Sequence, residues 1–118
     1  MSGYRFRPEQ RLRAPKQFSQ AYERGRRLGN ECFSANVLPN DLGAARLGLS
    51  IAARTVGNAV HRNRIRRVIR ETFRLHQNEL PALDIVIGAR SQARDAEAAR
   101  LAASLTKLWK KIATECAT

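Results

Sequence analysis

Acidic residues are scarce in this chain of 118 residues: 10 Asp and Glu stand against 22 Lys and Arg, a formal net charge of +12. A protein nuclease usually needs clustered carboxylates that hold metal ions, or a pair of histidines for acid–base catalysis. Here the acids are scattered, and His61 and His76 fall toward the apolar side of one predicted helix. Catalytic residues are therefore expected to be absent, and a free-standing nuclease is disfavoured.

Cysteine, glycine motifs and long apolar runs are scarce as well. Cys32 and Cys116 lie far apart, which favours free thiols in a reducing compartment and leaves a disulfide as the minor alternative. With the histidines they lack zinc-ligand spacing, and no phosphate-binding glycine loop occurs. No apolar stretch approaches membrane length and none resembles a signal peptide. We therefore expect a cytoplasmic protein with no metal site and no membrane partner.

Length and composition indicate a single domain over residues 1–118, with enough apolar residues for a modest core. Eighteen of the 22 basic residues are arginine, and this excess predicts a polyanionic partner. Residues 1–13 are basic and irregular, and both a disordered tail and an arm packed on an edge of the domain remain open.

The stretch from residue 54 to residue 74 is dominated by arginine, and Glu71 is its only acid. On a helical wheel it separates into an apolar stripe, formed by Ile65, Val68, Ile69, Thr72 and Phe73, and a basic face, formed by Arg66, Arg70 and Arg74 with Asn63 and Arg67 beside them. Like charges four residues apart repel by roughly 0.2–0.5 kcal/mol per pair, and a face that only confers solubility normally mixes both signs. The pattern predicts a helix, capped by Asn58 and ending near Asn78, that docks on a core and presents arginines to nucleic acid.

The first predicted helix spans residues 15–24, with Pro15 at its first position and Gly25 just beyond its end. Phe18 and Tyr22 lie four residues apart on it. Two interpretations stay open: both rings belong to the core, or both form a ledge on which unpaired bases stack.

Alternating patterns predict strands over residues 32–38 and 46–52, and a short strand is expected to start in the turn region at residues 24–29. A nearly continuous apolar run predicts a buried strand over residues 83–88. Ser34, Asn36, Gly48 and Ser50 would form a small, lightly polar sheet face that leaves room for a flat or extended ligand. A last helix over residues 95–114 carries an apolar stripe from Ala98 to Ile112, with Trp109 as a core anchor. The fold class is α+β: a two-layer domain with about four mixed strands and three helices, in the order helix, strands, helix, strand, helix.

Residues 57–71, read GNAVHRNRIRRVIRE, closely resemble the signature of the protein subunit of bacterial ribonuclease P, whose centre is Arg62-Asn63-Arg64. The similarity covers about residues 10–112. It implies a left-handed strand–helix–strand crossover, against the usual hand. It also implies an accessory subunit, a monomer in a one-to-one ribonucleoprotein that removes the 5′ leader of precursor tRNA. The RNA subunit would be the catalyst and would bind Mg²⁺.

The resemblance further implies two sets of contacts. The residues facing the catalytic RNA would be Arg54, Asn58, Arg62, Asn63, Arg64, Arg66, Arg67 and Arg70. The residues lining the cleft for the single-stranded leader of precursor tRNA would be Phe18, Tyr22, Ser34, Asn36 and Ser50. Three departures from the family pattern stand out: Phe18 and Tyr22 occupy a pair that is often two phenylalanines, Asn36 stands where some members carry an aromatic residue, and Ala53 stands where a basic residue is common.

Two other binding functions compete with this interpretation. A ribosomal or RNA-chaperone protein would share the charge but not the leader cleft. A DNA-binding module would place the basic helix in the major groove, but this helix is predicted to be built against a sheet and has no helix-turn-helix partner.

Overall fold

The computed structural model describes residues 10–116 and contains four α-helices and one four-stranded sheet. In chain order the elements are α1 (Pro15–Arg24), β1 (Arg26–Gly29), β2 (Phe33–Pro39), β3 (Arg46–Ser50), α2 (Ala53–Val56), α3 (Ala59–His76), β4 (Leu83–Ala89) and α4 (Ala98–Glu115). Short 3-10 turns cover Gln77–Glu79 and Ser91–Ala93. The α+β class and the order of the long elements are confirmed. The four-residue α2, too short to show a helical period, was not predicted.

The sheet has the order β1-β2-β4-β3. β1 pairs antiparallel with β2, β2 pairs antiparallel with β4, and β3 pairs parallel with β4. β4 therefore lies inside the sheet, which explains its continuous apolar run, because it is covered on both faces. The parallel β3–β4 pair is joined through α2 and α3, and the hand of that crossover stays a prediction.

The main core lies between one sheet face, α3 and α4. Ile65, Ile69 and Phe73 are fully buried, as the apolar stripe of α3 predicts. Trp109 of α4 is 1% exposed, and its ring meets Phe73 edge-on, with centroids 5.7 Å apart. Its indole Nε1 donates to the hydroxyl of Thr72 at 3.1 Å, so the one polar atom of the ring is satisfied. The prediction that Trp109 anchors the core is confirmed.

A buried ion pair joins the two parallel strands. Arg46 of β3 donates from Nε and from its terminal nitrogen to the two carboxylate oxygens of Asp84 on β4, at 2.8 and 2.7 Å. Asn40 donates to the same carboxylate at 2.9 Å. This hydrogen-bonded pairing with Asp84 raises the pKa of Arg46. The pair joins the first residue of β3 to the second residue of β4.

The structure corrects three details of the sequence interpretation. Ala98 lies outside the buried stripe of α4, because the helix begins there and the chain buries Ala96 instead. Gly25 has φ −76° rather than a left-handed value, and it is needed for close approach: a Cβ there would lie 2.3 Å from the carbonyl oxygen of Ala21. Gly48 does not leave open space on the sheet, because Phe18 already covers it.

Candidate RNA-binding surface

The entry to α3 is fixed by Gly57 and Asn58, the two residues that precede it. Gly57 has φ +96°, a conformation that glycine adopts without strain, and a Cβ there would lie 3.1 Å from the ring of His61. Asn58 then caps the helix, its side-chain oxygen accepting from the backbone N–H groups of Val60 and His61 at 3.1 and 3.2 Å. The ring of His61 thus lies against the turn at Gly57. This geometry sets where the arginines that follow project.

The predicted contact residues for catalytic RNA lie on α2, at the cap of α3 and on its first three turns. Arg54, Asn58, Asn63, Arg67 and Arg70 are exposed, whereas Arg62, Arg64 and Arg66 are half-buried. The single acid of this stretch, Glu71, pairs with Arg74 one turn later, and its pKa is lowered by that hydrogen bond. Within residues 10–116, a carboxylate therefore neutralises the basic face (Arg66, Arg70 and Arg74 with Asn63 and Arg67) only at its C-terminal end.

Arg64 differs from its neighbours because its guanidinium is used inside the protein. One terminal nitrogen donates to the carbonyl oxygen of Ala96 at 2.8 Å and the other to that of Arg94 at 2.9 Å. These bonds tie α3 to the segment that precedes α4. The RNA contact implied for Arg64 stays a prediction, but its main observed role is to position this segment. Nothing in the sequence indicates this, because it depends on where residues 94–96 lie in space.

A second candidate surface is the open face of the sheet. In the strand register, Ser34 of β2 lies opposite Gly88 of β4, which lies beside Ser50 of β3. Since paired residues on neighbouring strands point to the same face, the three positions form a row of small residues. A cleft of about 290 Å³ opens over this row. Its lining includes Tyr22, Arg27, Ser34, Asn36, Ser50, Thr55, Val86 and Gly88.

The structure separates Phe18 from Tyr22, which were predicted to act together. Tyr22 is 49% exposed and lines this sheet cleft. Phe18 is half-buried and packs with Leu12, Ala21 and Val86 in a small second core between α1 and the sheet. It lines a different cavity, beside Arg66 and Arg70. The core interpretation therefore fits Phe18, whereas Tyr22 is exposed at the cleft and its stacking role stays a prediction.

Arg27 is a cleft residue that was not singled out from the sequence. Leu28 of β1 is buried in the main core, so its neighbour Arg27 points to the opposite, open face. There it lies opposite Asn36 in the strand register and lines the cleft. Alternation along β1 could have indicated that Arg27 points to the open face, but four residues are too few for an alternating pattern to be recognised. Arg27 supplies the cleft with a cation suited to a phosphate.

The described part of the chain offers no group of three or more His, Cys, Asp or Glu placed to hold a metal ion. Cys32 and Cys116, both within residues 10–116, are free thiols. Over the same range, no helix is long and apolar enough to cross a membrane.

Comparisons with known proteins agree with each other. A family model described as ribonuclease P matches residues 6–113. The ribonuclease P protein component of Thioalkalivibrio sulfidiphilus is 39% identical over 107 residues, covering 91% of this chain and 89% of the relative. The Staphylococcus aureus RNase P protein superimposes with a TM-score of 0.81 at 34% identity, over 88% of this chain and 94% of that one. The Thermotoga maritima RNase P protein gives 0.79 at 29% identity, over 86% and 96%.

Proposed function

The chain belongs to the ribonuclease P protein family, and on that premise we propose that its two surfaces bind two different RNAs. As a family member it is a subunit of a ribonucleoprotein endoribonuclease that matures the 5′ end of tRNA. Its partner in that complex is RNA. We assign the exposed residues of α2 and α3 to the catalytic RNA and the sheet cleft to the leader of precursor tRNA, in a one-to-one complex in the cytoplasm.

The lining of the sheet cleft supports its assignment to the leader of precursor tRNA. Its floor is flat because Gly88 has no side chain, and a Cβ there would lie 2.8 Å from the hydroxyl oxygen of Ser34. Tyr22 offers an exposed ring at one wall and Arg27 a cation at another. An aromatic ring that stacks a base and a cation that meets the backbone are the usual elements of single-strand binding. Ser34, Asn36 and Ser50 add hydrogen-bonding groups without filling the cleft.

The arginines of the basic face support its assignment to the catalytic RNA. Arg66 and Arg70 lie one turn apart, and neither is paired with a carboxylate among residues 10–116. Burial of part of its guanidinium, with repulsion from Arg11 and Arg66, lowers the pKa of Arg70. A phosphate would relieve this repulsion. Replacing Arg66 or Arg70 with Ala should flatten the slope of log affinity against log salt by about 0.7–0.9 unit for each phosphate that the variant no longer neutralises.

Among residues 10–116, no group of three or more metal-ligating side chains is placed to hold Mg²⁺. Asp84 is buried, but its carboxylate is taken up by Arg46 and Asn40, and Glu71 is paired with Arg74. Hard cations such as Mg²⁺ need carboxylate oxygens that are available to them. We therefore propose that the Mg²⁺ of the holoenzyme is held by its RNA, and that this chain contributes binding and charge.

The test is a processing assay on precursor tRNA with bacterial ribonuclease P RNA, with and without the protein, across a magnesium series. We expect no cleavage by protein alone, and restoration of RNA-dependent cleavage at low magnesium when protein is added, because the arginines screen phosphate repulsion. Cleavage that needs only the protein and survives further purification would contradict the assignment of chemistry to the RNA. Equal affinity of the holoenzyme for precursor and mature tRNA would contradict the leader assignment.

A further inference from the structure

A second cavity, of about 320 Å³, shares no lining residue with the sheet cleft. It is lined by Arg11, Leu12, Arg13, Phe18, Leu47, Leu49, Arg66 and Arg70. None of these eight described residues is acidic. Its volume falls at the lower end of the roughly 300–1,000 Å³ typical of small-ligand pockets. We call it the basic cavity.

The segment at residues 11–13 is held against the sheet and forms one wall of this cavity. Arg11 makes a parallel bridge to Leu47 of β3, and the backbone N–H of Leu12 donates to the carbonyl oxygen of Leu47 at 2.9 Å. Leu12 is 5% exposed and packs in the second core with Val86. The edge-packed alternative is therefore the one observed for residues 10–13, whereas residues 1–9 lie outside the described residues. Burial of Leu12 anchors the two arginines that flank it.

The opposite wall is the basic face of α3. Arg66 and Arg70 are four residues apart, so they project from the same side of the helix. Four arginines from two separate elements thus line one cavity, together with the apolar residues Phe18, Leu47 and Leu49, which form its floor. Charges over an apolar floor interact more strongly than charges in water. The mutual repulsion is visible in Arg70, whose pKa is lowered by burial and then by Arg11 and Arg66.

We infer that the basic cavity binds a backbone phosphate of RNA between Arg11 and Arg13 on one side and Arg66 and Arg70 on the other. Guanidinium groups grip phosphate oxygens through paired N–H donors. A phosphate bound between the two walls would contact arginines from both. It would thereby replace the repulsion between the arginines of residues 11–13 and those of α3 with an attraction of both to one anion. The inference rests on the RNA-binding function proposed above and extends it by assigning a site to Arg11 and Arg13. The phosphate can come from the catalytic RNA or from the precursor leader, and the two sources are separable.

The test compares the Arg11→Gln/Arg13→Gln variant with wild type and with Lys107→Gln/Lys110→Gln. The control removes the same charge from positions on α4 that line none of the cavities described above. Inorganic phosphate is titrated into each free protein while the backbone amide signals of Leu12 and Leu47 are followed by NMR. We expect saturable shifts in wild type and control, and at least a tenfold weaker response in the arginine variant. Identical titrations in all three proteins would overturn the inference.

Binding to RNA is then measured across a salt series in two arms. In the first arm, protein binds catalytic RNA alone; in the second, holoenzyme binds precursor or mature tRNA. A salt slope lowered by about 0.7–0.9 unit in the first arm supports the site with a phosphate from catalytic RNA. If the arginine variant binds only precursor tRNA more weakly, the result supports the site with a phosphate from the leader. If wild type binds RNA but the arginine variant matches the lysine control in both arms, the inference fails and the proposed function stands. If wild type binds no catalytic RNA yet phosphate saturates the cavity, the proposed function fails and the site stands.

Discussion

Replacing Tyr22 and Phe18 separately with Ala should give two different phenotypes, although the residues are one helical turn apart. Tyr22 is 49% exposed and lines the sheet cleft. If it stacks on a leader base, its removal should cost about 1–3 kcal/mol of binding per stacked base. At 1.4 kcal/mol per tenfold, that is about a 5- to 150-fold weaker affinity for precursor tRNA. Mature tRNA has no leader, so its affinity should not change.

Phe18→Ala should act mainly on stability. The ring packs on Gly48 so closely that a Cβ at that glycine would lie 2.8 Å from the ring. Truncating a buried aromatic costs about 3–5 kcal/mol, and the lower end applies because Phe18 is only half-buried. Its removal also opens the floor of the basic cavity. Because Phe18 does not line the sheet cleft, a decrease in RNA affinity that results from lost stability should fall on both tRNAs alike.

Each variant needs three measurements: urea unfolding, affinity of the holoenzyme for precursor tRNA, and affinity for mature tRNA. Tyr22→Phe is the matched control, because it keeps the ring and removes only the hydroxyl, so it should retain most of the precursor affinity. The reasoning is refuted if Tyr22→Ala unfolds at lower urea and weakens both RNAs equally. It is also refuted if Phe18→Ala leaves the free energy of unfolding unchanged.

Two further variant pairs test roles that the structure separates. Arg64→Ala should lower the free energy of unfolding by about 2 kcal/mol, since it removes two hydrogen bonds from a charged group to the segment before α4. Arg67→Ala should leave the free energy of unfolding unchanged and weaken RNA binding. Equal unfolding curves for the two variants would contradict the structural role of Arg64. Asp84→Asn should cost about 3–5 kcal/mol by leaving Arg46 without its ionic partner, and the double change Arg46→Met/Asp84→Leu should recover much of that stability in the same urea assay.

The helices and strands were predictable where their periodicity was long and clean. The span of α1 agrees with its prediction because Pro15 and Gly25 mark both ends, and α3 because one stripe continues along the helix. β4 was recognisable as buried from its continuous apolar run. The four-residue α2 has no room for a repeating pattern, so local sequence could not indicate it.

The candidate site was less predictable because it depends on what each side chain meets. Spacing of four residues places Phe18 and Tyr22 on one face of α1, but the two side chains meet different parts of the sheet. Phe18 packs on Gly48, whereas Tyr22 lines the sheet cleft. Arg64 looks like its neighbours on a helical wheel, and only the position of residues 94–96 makes it structural. Strand alternation placed Ser34, Asn36 and Ser50 on one sheet face, the resemblance to the family added the leader as their ligand, and the strand register brings them to one cleft.

Because acids are scarce, some arginines of this molecule have a carboxylate partner and others do not. Carboxylates pair with Arg26, Arg46 and Arg74, whereas within residues 10–116 none pairs with Arg66 or Arg70. Because the repulsion among such unpaired arginines is screened by salt, the free energy of unfolding of the free protein should rise between about 0.05 and 0.5 M salt, over the range where RNA affinity falls steeply through counterion release. Urea unfolding and RNA binding in one buffer series measure both slopes, with KCl as the salt so that no strongly binding anion is added. If stability fell with salt, the arginines of the basic face would be engaged within the folded protein, and their assignment to RNA would have to be withdrawn.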